Sequence, residues 1–191
     1  MEHEHEVEIE HPHTPVHRRV GIMIAFMAGA LAFTEMAGRN AATDVVRETV
    51  EASDTWAFYQ AKTIRAAMLR ADARALALQT TGRSEVDTAQ VAKTVADWEA
   101  TATREDSEPS TGEGRKELVK KAQAIEKHRD DRDAAKETYE FGSGALELGI
   151  LLSSTSIVTG FVPLAFLGGG IGIVGGVLGL CGWFAPHLIG G

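Results

Sequence analysis

Cysteine is nearly absent from this sequence, and basic side chains are too few to balance the acidic ones. The single cysteine, Cys181, has no partner for an intramolecular disulfide and lies within an apolar run, where it suits a small buried side chain. The 191 residues carry 19 basic and 27 acidic side chains, a formal net charge of −8. Because nucleic-acid-binding proteins present basic faces, this balance argues against a nucleic-acid partner.

Motifs that carry catalysis are also lacking. The sequence has no nucleophile elbow and no phosphate-binding loop ahead of a helix. The two histidines outside the N-terminal segment, His128 and His187, stand in unlike surroundings. The sequence therefore predicts that the chain is not an enzyme, and it implies no cofactor apart from the metal ions considered below.

Proline and glycine are missing from Asn40 to Thr81, in a stretch rich in alanine. Proline and glycine disfavour helix whereas alanine favours it, so we expect a long helix over this range. Its larger apolar residues recur at three- and four-residue steps or their sums and form a narrow seam. The seam consists of Val46, Val50, Ala57, Ile64, Met68, Ala75 and Leu78.

Two shorter helices are expected after this one. Ser84, with Asp87 three residues later, resembles a capping box at the start of the second helix. The first helix would be about 63 Å long, and the second and third together about 74 Å. Comparable lengths favour a reversal near Gly82, so residues 39–141 are predicted to form an extramembrane antiparallel hairpin, a coiled-coil-like arm. Its parts are helices 40–81, 84–106 and 115–140, a tip at 82–83 and a loop at 107–114.

Three apolar segments are long enough to cross a bilayer, at about 27 Å or more as helices. They cover residues 20–38, 145–162 and 164–184, with Pro163 between the last two, so the sequence predicts an all-α membrane protein with three transmembrane helices. Small residues at four-residue steps, a glycine zipper, favour close helix packing within the chain or between subunits. The candidates are Gly149 and Ser153 in the second segment and Gly168, Gly172 and Gly176 in the third.

Two carboxylates lie at the ends of these segments. Glu35 ends the first segment and Glu147 begins the second, so both are expected at the membrane face that bears the arm. Acidic residues in such positions snorkel toward water, or in an oligomer they form a ring of negative charge at a pore mouth. The second interpretation would make Glu35 and Glu147 part of an ion path.

The N-terminal residues 1–19 alternate acids with histidines and contain two prolines, a composition typical of a disordered tail. Imidazole and carboxylate ligands suit copper, nickel or zinc. The tail is therefore either simply solvated or a weak, exchangeable metal site. The candidate ligands are His3, His5, His11 and His13.

The segment Ala52–Arg65 concentrates aromatic, acidic, amide and basic side chains. Its pattern ASD-x-WA-x-YQAK resembles the signature of a bacterial membrane family, the domain of unknown function DUF4337. That family shares the His- and Glu-rich start, one membrane helix, a long charged helical section and a C-terminal membrane hairpin. The resemblance implies this architecture in the bacterial inner membrane with a cytoplasmic N-terminus, and it implies no activity.

Two roles are open for the motif side chains Trp56, Tyr59, Gln60 and Lys62. They pack against the returning helices or a neighbouring subunit, or they form a docking patch for another protein. We expect a membrane-anchored structural or interaction protein that contacts lipid and self-associates through its arm and its small-residue transmembrane faces. The alternative is a metal-handling or ion-conducting membrane component.

Overall fold

The computed structural model describes residues 15–79 and 84–184, and within these ranges the chain forms four α-helices and no β-strand. The all-α fold class is thereby confirmed for this part of the chain. The helices are α1 (Pro15–Leu78), α2 (Glu85–Asp106), α3 (Arg115–Thr159) and α4 (Val162–Phe184). Three of them, α1, α3 and α4, are long and apolar enough to cross a membrane.

Two of the helices are longer than the sequence segments that predicted them. α1 covers the apolar segment 20–38, the helix predicted from residue 40 and the last residues of the expected tail. α3 likewise joins the predicted helix 115–140 to the apolar segment that begins at residue 145. The predicted tip at 82–83 lies outside the described residues.

The chain divides into two compact units. We call residues 43–131 the charged unit, and the described residues 15–42 and 132–184 the apolar unit. Each unit has its own pattern of burial and is described separately.

Side-chain caps define the ends of the helices in the charged unit. Ser84 Oγ accepts a hydrogen bond from the Asp87 backbone N–H at 3.2 Å and donates one to the Asp87 carboxylate at 2.7 Å, which confirms the predicted cap of α2. At the start of α3, the Glu117 carboxylate accepts hydrogen bonds from the Ser107 hydroxyl at 2.9 Å and the Glu108 N–H at 3.2 Å. These bonds connect the first turn of α3 to the loop that leads into it from α2.

On α1, the core of the charged unit consists of alanine and threonine residues and one glutamate. Buried positions recur at seven-residue intervals or at steps of three and four, the spacing of a coiled-coil face. They are Glu48, Ala52, Thr55, Ala66 and Ala73. The other two helices bury Val91, Ala102, Leu118 and Ala122, so the unit is held together mainly by small side chains that let helices approach closely.

The seam of larger apolar residues on α1 is exposed. Val50 is 56% exposed, Ile64 57% and Met68 62%, and Leu78 at the end of the helix is more exposed still. The periodicity correctly predicted a helix, but within the described ranges this face does not pack against another helix. The alanine-rich face, which hydropathy ranks lower, is the one that α1 buries.

In the apolar unit, α3 and α4 are connected by a tight turn. Gly160 has a φ of 71° and its N–H donates to the Ser156 carbonyl at 2.9 Å, closing the end of α3. The Ser156 hydroxyl in turn donates to the Phe161 carbonyl at 3.0 Å. With its carbonyls satisfied in this way, the chain reverses within two residues and begins α4 at Val162.

Glycines of α4 form the interior of the apolar unit. A Cβ at Gly175 would lie 2.7 Å from the Gly142 carbonyl oxygen of α3, and one at Gly179 would lie 2.7 Å from the Thr34 hydroxyl of α1. Large apolar side chains face outward instead, and Phe166 is 78% exposed. The apolar unit thus buries mostly small residues, together with Met27, Tyr139 and Leu146, and exposes most of its large ones.

Candidate functional site

The family-like motif lies in the middle of α1 and contacts the other helices of the charged unit. Trp56 Nε1 donates a hydrogen bond to Glu126 of α3 at 2.8 Å. The Trp56 and Tyr59 rings meet edge to face, with centroids 5.6 Å apart and planes at 86°. Both aromatic residues are half-buried, so their contacts within the chain match the packing role considered for them.

Tyr59 also takes part in an ionic cluster at the ends of α2 and α3. Asp106 is paired with Arg70 of α1 and, at 2.8 Å, with Arg115. Arg115 in turn donates to the Tyr59 hydroxyl at 3.4 Å, and its guanidinium carbon lies 5.3 Å from the centre of the Tyr59 ring. These contacts tie α1 to the loop between α2 and α3.

The same contacts shift three pKa values. The hydrogen bond and charge of Arg115 lower the pKa of Tyr59, and the Tyr59 oxygen in turn raises the pKa of Arg115. Desolvation acts to raise the pKa of Asp106, but hydrogen bonds from Arg70 and Arg115 outweigh it and the pKa is lowered. The cluster therefore favours the charged form of each member.

Lys62 and Gln60, the other two motif residues, differ in their surroundings. Lys62 Nζ lies 3.0 Å from Glu105 Oε2 and 5.2 Å from the centre of the Phe58 ring. Arg65 approaches the other Glu105 oxygen at 3.4 Å, so this buried carboxylate has two basic neighbours. Gln60 is exposed.

Several polar residues that the charged unit buries were not predicted from the sequence. Glu48 is 5% exposed and its Oε1 lies 2.6 Å from His128 Nδ1. Glu48 belongs to the buried seven-residue repeat of α1, and so does Thr55. The repeat was the available signal, but a search led by hydropathy passes over a face that carries glutamate and threonine.

A cavity of about 370 Å³ lies beside the ionic cluster and is lined by Tyr59, Asp106, Arg115, Lys116 and Val119. On its wall, Asp106 and Arg115 are paired with one another. Among the residues the structure describes, no three histidine, cysteine, aspartate or glutamate side chains converge as metal ligands. The proposed metal ligands His3, His5, His11 and His13 lie outside the described ranges, so the tail site stays a prediction.

The small residues proposed for membrane packing form the contact between α3 and α4, with one exception. A Cβ at Gly149 would lie 2.7 Å from the Gly168 carbonyl oxygen, and one at Gly168 would lie 2.5 Å from Ser153 Oγ. Gly172 faces Met27 of α1 in addition to Gly149. Gly176 has no atom within 4 Å of its Cβ position.

Ser153 Oγ is fully buried at this contact and has no hydrogen-bond partner in the part of the chain that the structure describes. It faces the Gly168 backbone, where a weak Cα–H···O contact is the available interaction. The small Ser153 side chain therefore lies directly opposite Gly168, where a larger side chain would not fit.

The two carboxylates of the predicted ion path have different surroundings. Glu35 is paired with Arg39 at 2.7 Å, one helical turn further along α1. Glu147 is exposed and lines a groove on the surface of the apolar unit. Glu35 therefore has a counter-ion within its own helix, whereas Glu147 faces a groove.

The model of one protein family, described as a domain of unknown function (DUF4337), matches residues 16–185 of the chain. This range takes in all four helices almost completely. No curated protein and no solved structure matches the chain.

Proposed function

The chain belongs to the DUF4337 family, and we propose that it is a membrane-anchored structural protein that associates with copies of itself. In this proposal the apolar segments 20–38, 145–162 and 164–184 cross the membrane, and residues 39–141 form the extramembrane helical arm. We place it in the bacterial inner membrane with a cytoplasmic N-terminus.

The pattern of burial in the apolar unit supports membrane insertion. Most of its large apolar side chains lie on the outer surface, whereas glycine, alanine, serine and threonine form most of the interior, beside Met27, Tyr139 and Leu146. In a bilayer, hydrocarbon solvates the large side chains, while small residues allow helices to gain close van der Waals contact. In water the same surface would expose far more apolar area than soluble proteins tolerate.

The sequence of contacts in the charged unit supports an antiparallel arm. Glu48 of α1 is paired with His128, Trp56 with Glu126, and further along the same helix Lys62 is paired with Glu105. Partner numbers thus fall overall as α1 advances. Helices that run in opposite directions give contacts in this order.

The observation that carries self-association is the exposed seam of α1. Val50, Ala57, Ile64, Ala71 and Leu78 lie at seven-residue intervals and all are exposed. Ala61, Met68 and Ala75 form a second series at seven-residue intervals, four residues after Ala57, Ile64 and Ala71, and they are exposed too. A sustained heptad repeat of this kind fits the same repeat on another helix, so the partner we propose is α1 of a second copy.

Copies anchored in one membrane point the same way, so their α1 seams would pair in parallel. Asp54 is the charged member of the repeat between Val50 and Leu78. One polar residue at a coiled-coil core position fixes the register of the helices and lowers the stability of the pair. We therefore expect a reversible pairing along the seam.

Chemical cross-linking in native membranes, followed by mass measurement, tests this proposal. The wild type should give a product of a small integer number of chains. Ile64→Glu with Met68→Glu should reduce that product roughly tenfold or more, because each change removes an apolar side chain worth about 1.5 kcal/mol or more when buried. Val86→Glu on α2 is the control, since Val86 is also an exposed apolar residue, at 79%, and lies off the seam.

A wild-type chain that remains monomeric would contradict the proposal. So would a control variant that loses the product as completely as the seam variant does. Circular dichroism of both variants should show unchanged helix content, which separates loss of association from loss of folding. The metal-handling and ion-conducting alternatives stay predictions, and no contact among the described residues favours them.

A further inference from the structure

A groove of about 550 Å³ runs along one face of α3 in the apolar unit. Its walls come from residues three, four, seven, eight and eleven positions after Glu147, together with Leu31 of α1. These lining residues are Ile150, Leu151, Ser154, Thr155 and Val158. The Thr155 hydroxyl donates to the Leu151 carbonyl at 2.8 Å, so the polar capacity of this side chain is satisfied within the helix.

Glu147 lies at one end of the groove, where the apolar run of α3 begins. Within the described ranges its carboxylate forms no hydrogen bond or ion pair. Glu35 shows the contrasting arrangement, since Arg39 neutralises it. A carboxylate at the edge of an apolar region gains most from a cation, because its hydration there is incomplete.

From Glu147 to Val158 the groove follows eleven residues of helix, or about 17 Å. One leaflet of a bilayer has a hydrocarbon thickness of about 15 Å, half of the total. The groove therefore runs, over the depth of one leaflet, from a charged end to an apolar end. A phospholipid has the same polarity and the same length.

We propose that this groove binds one membrane phospholipid whose headgroup carries a primary ammonium group. The ammonium pairs with the Glu147 carboxylate, and one acyl chain lies along Ile150, Leu151 and Val158. A free amine would satisfy the carboxylate but leave the apolar walls uncovered. An anionic phospholipid would cover the walls but bring its negative charge to the carboxylate. The inference rests on the membrane insertion proposed above.

Photo-cross-linking with full-length protein in phospholipid vesicles tests this inference. Two lipids with the same photoreactive acyl chain are compared, one with an ethanolamine headgroup and one with a glycerol headgroup. Mass spectrometry should locate adducts within residues 150–158, with the ethanolamine lipid favoured roughly 1.5- to 5-fold, the range expected for a partly exposed ion pair. Glu147→Gln should abolish this preference.

Glu140→Gln is the matched control, because Glu140 is an exposed acid on the same helix that does not line the groove. It should leave the preference unchanged. Leu151→Trp fills the groove and should reduce adducts of both lipids at residues 150–158.

Four results would overturn the inference. Equal labelling by both lipids, or a preference that persists in Glu147→Gln, would show that the carboxylate does not select the headgroup. Displacement of the lipid by soluble ethanolamine would assign the site to a free amine. A chain that does not enter the vesicles at all would overturn the proposed function too, whereas a chain that enters without selecting a headgroup overturns this inference alone.

Discussion

Ion pairs between individual acidic and basic side chains join the helices of the charged unit. Glu105 lies between Lys62 and Arg65, and Asp106 lies between Arg70 and Arg115. Exposed ion pairs contribute about 0.2–1 kcal/mol each, but Glu105 is buried, and removal of a base beside a buried acid costs several times more. The ionic contacts therefore specify which helix faces pair, in a core whose apolar side chains are mostly small.

The two tyrosines of the chain provide a direct test of these surroundings. The hydrogen bond from Arg115 lowers the pKa of Tyr59, whereas burial raises the pKa of Tyr139, which precedes the apolar segment of α3. Ultraviolet absorbance should therefore show two phenol titrations, one below and one above the usual pKa of about 10.

Tyr59→Phe should remove the titration at lower pH and leave the one at higher pH. Arg115→Gln should move the Tyr59 titration upward, because the guanidinium that stabilises the phenolate is gone. A single transition near pH 10 in the wild type would contradict the contacts of both tyrosines.

The sequence singled out Trp56 and Tyr59 because aromatic residues are rare in this chain. It could not identify their partners, since Glu126 is 70 residues from Trp56 and Arg115 is 56 residues from Tyr59. Those pairings depend on how the helices align, and a single sequence does not contain that alignment. Residue types that form a site were thus predictable, and the distant residues that complete it were not.

At the scale of elements, α1 is a helix with one buried face and one exposed apolar face. One face, with Ala52, Ala66 and Ala73, is buried inside the charged unit. The other, with Ile64 and Met68, is exposed. Apolar periodicity predicted the helix correctly because both faces repeat at helical spacing. It did not predict which face is internal, because close packing selects small residues that hydropathy does not distinguish.

The contact between α3 and α4 allows a paired test at two glycines of α4. Gly168→Ala should destabilise the apolar unit by about 1–3 kcal/mol, the cost of overpacking, because the new methyl group would lie 2.6 Å from the Gly149 carbonyl oxygen. Gly176→Ala should be neutral or slightly stabilising, because its Cβ position is open and alanine favours helix. Thermal unfolding in detergent, followed by circular dichroism, measures both.

The comparison is controlled because both substitutions add the same methyl group to the same helix. The two glycines belong to one four-residue series in the sequence, so a sequence-based expectation treats them alike. Equal destabilisation by both substitutions would contradict the packing of α4 described here.

For the whole molecule, the segregation of apolar and charged residues along the chain predicted much of the architecture. Three apolar segments and an alanine-rich charged section indicate helices, and four helices are found in the described ranges. The family match covers the same range. The continuity of α1 and α3 was not predictable from hydropathy, because a change from apolar to charged residues does not by itself interrupt a helix.

We propose that copies of this chain associate through the exposed seam of α1. Cysteine scanning in native membranes tests it, in a Cys181→Ser background so that each variant carries one thiol. Mild oxidation should give disulfide-linked dimers with a period of three and four residues along α1. We expect strong cross-links at positions on the exposed face, which are Ala57, Ala61, Ile64 and Met68. Cysteine on the buried face should give weak cross-links, at Thr55, Ala66 and Ala73. Cross-links of equal strength around the whole helix, or strongest on the buried face, would contradict it.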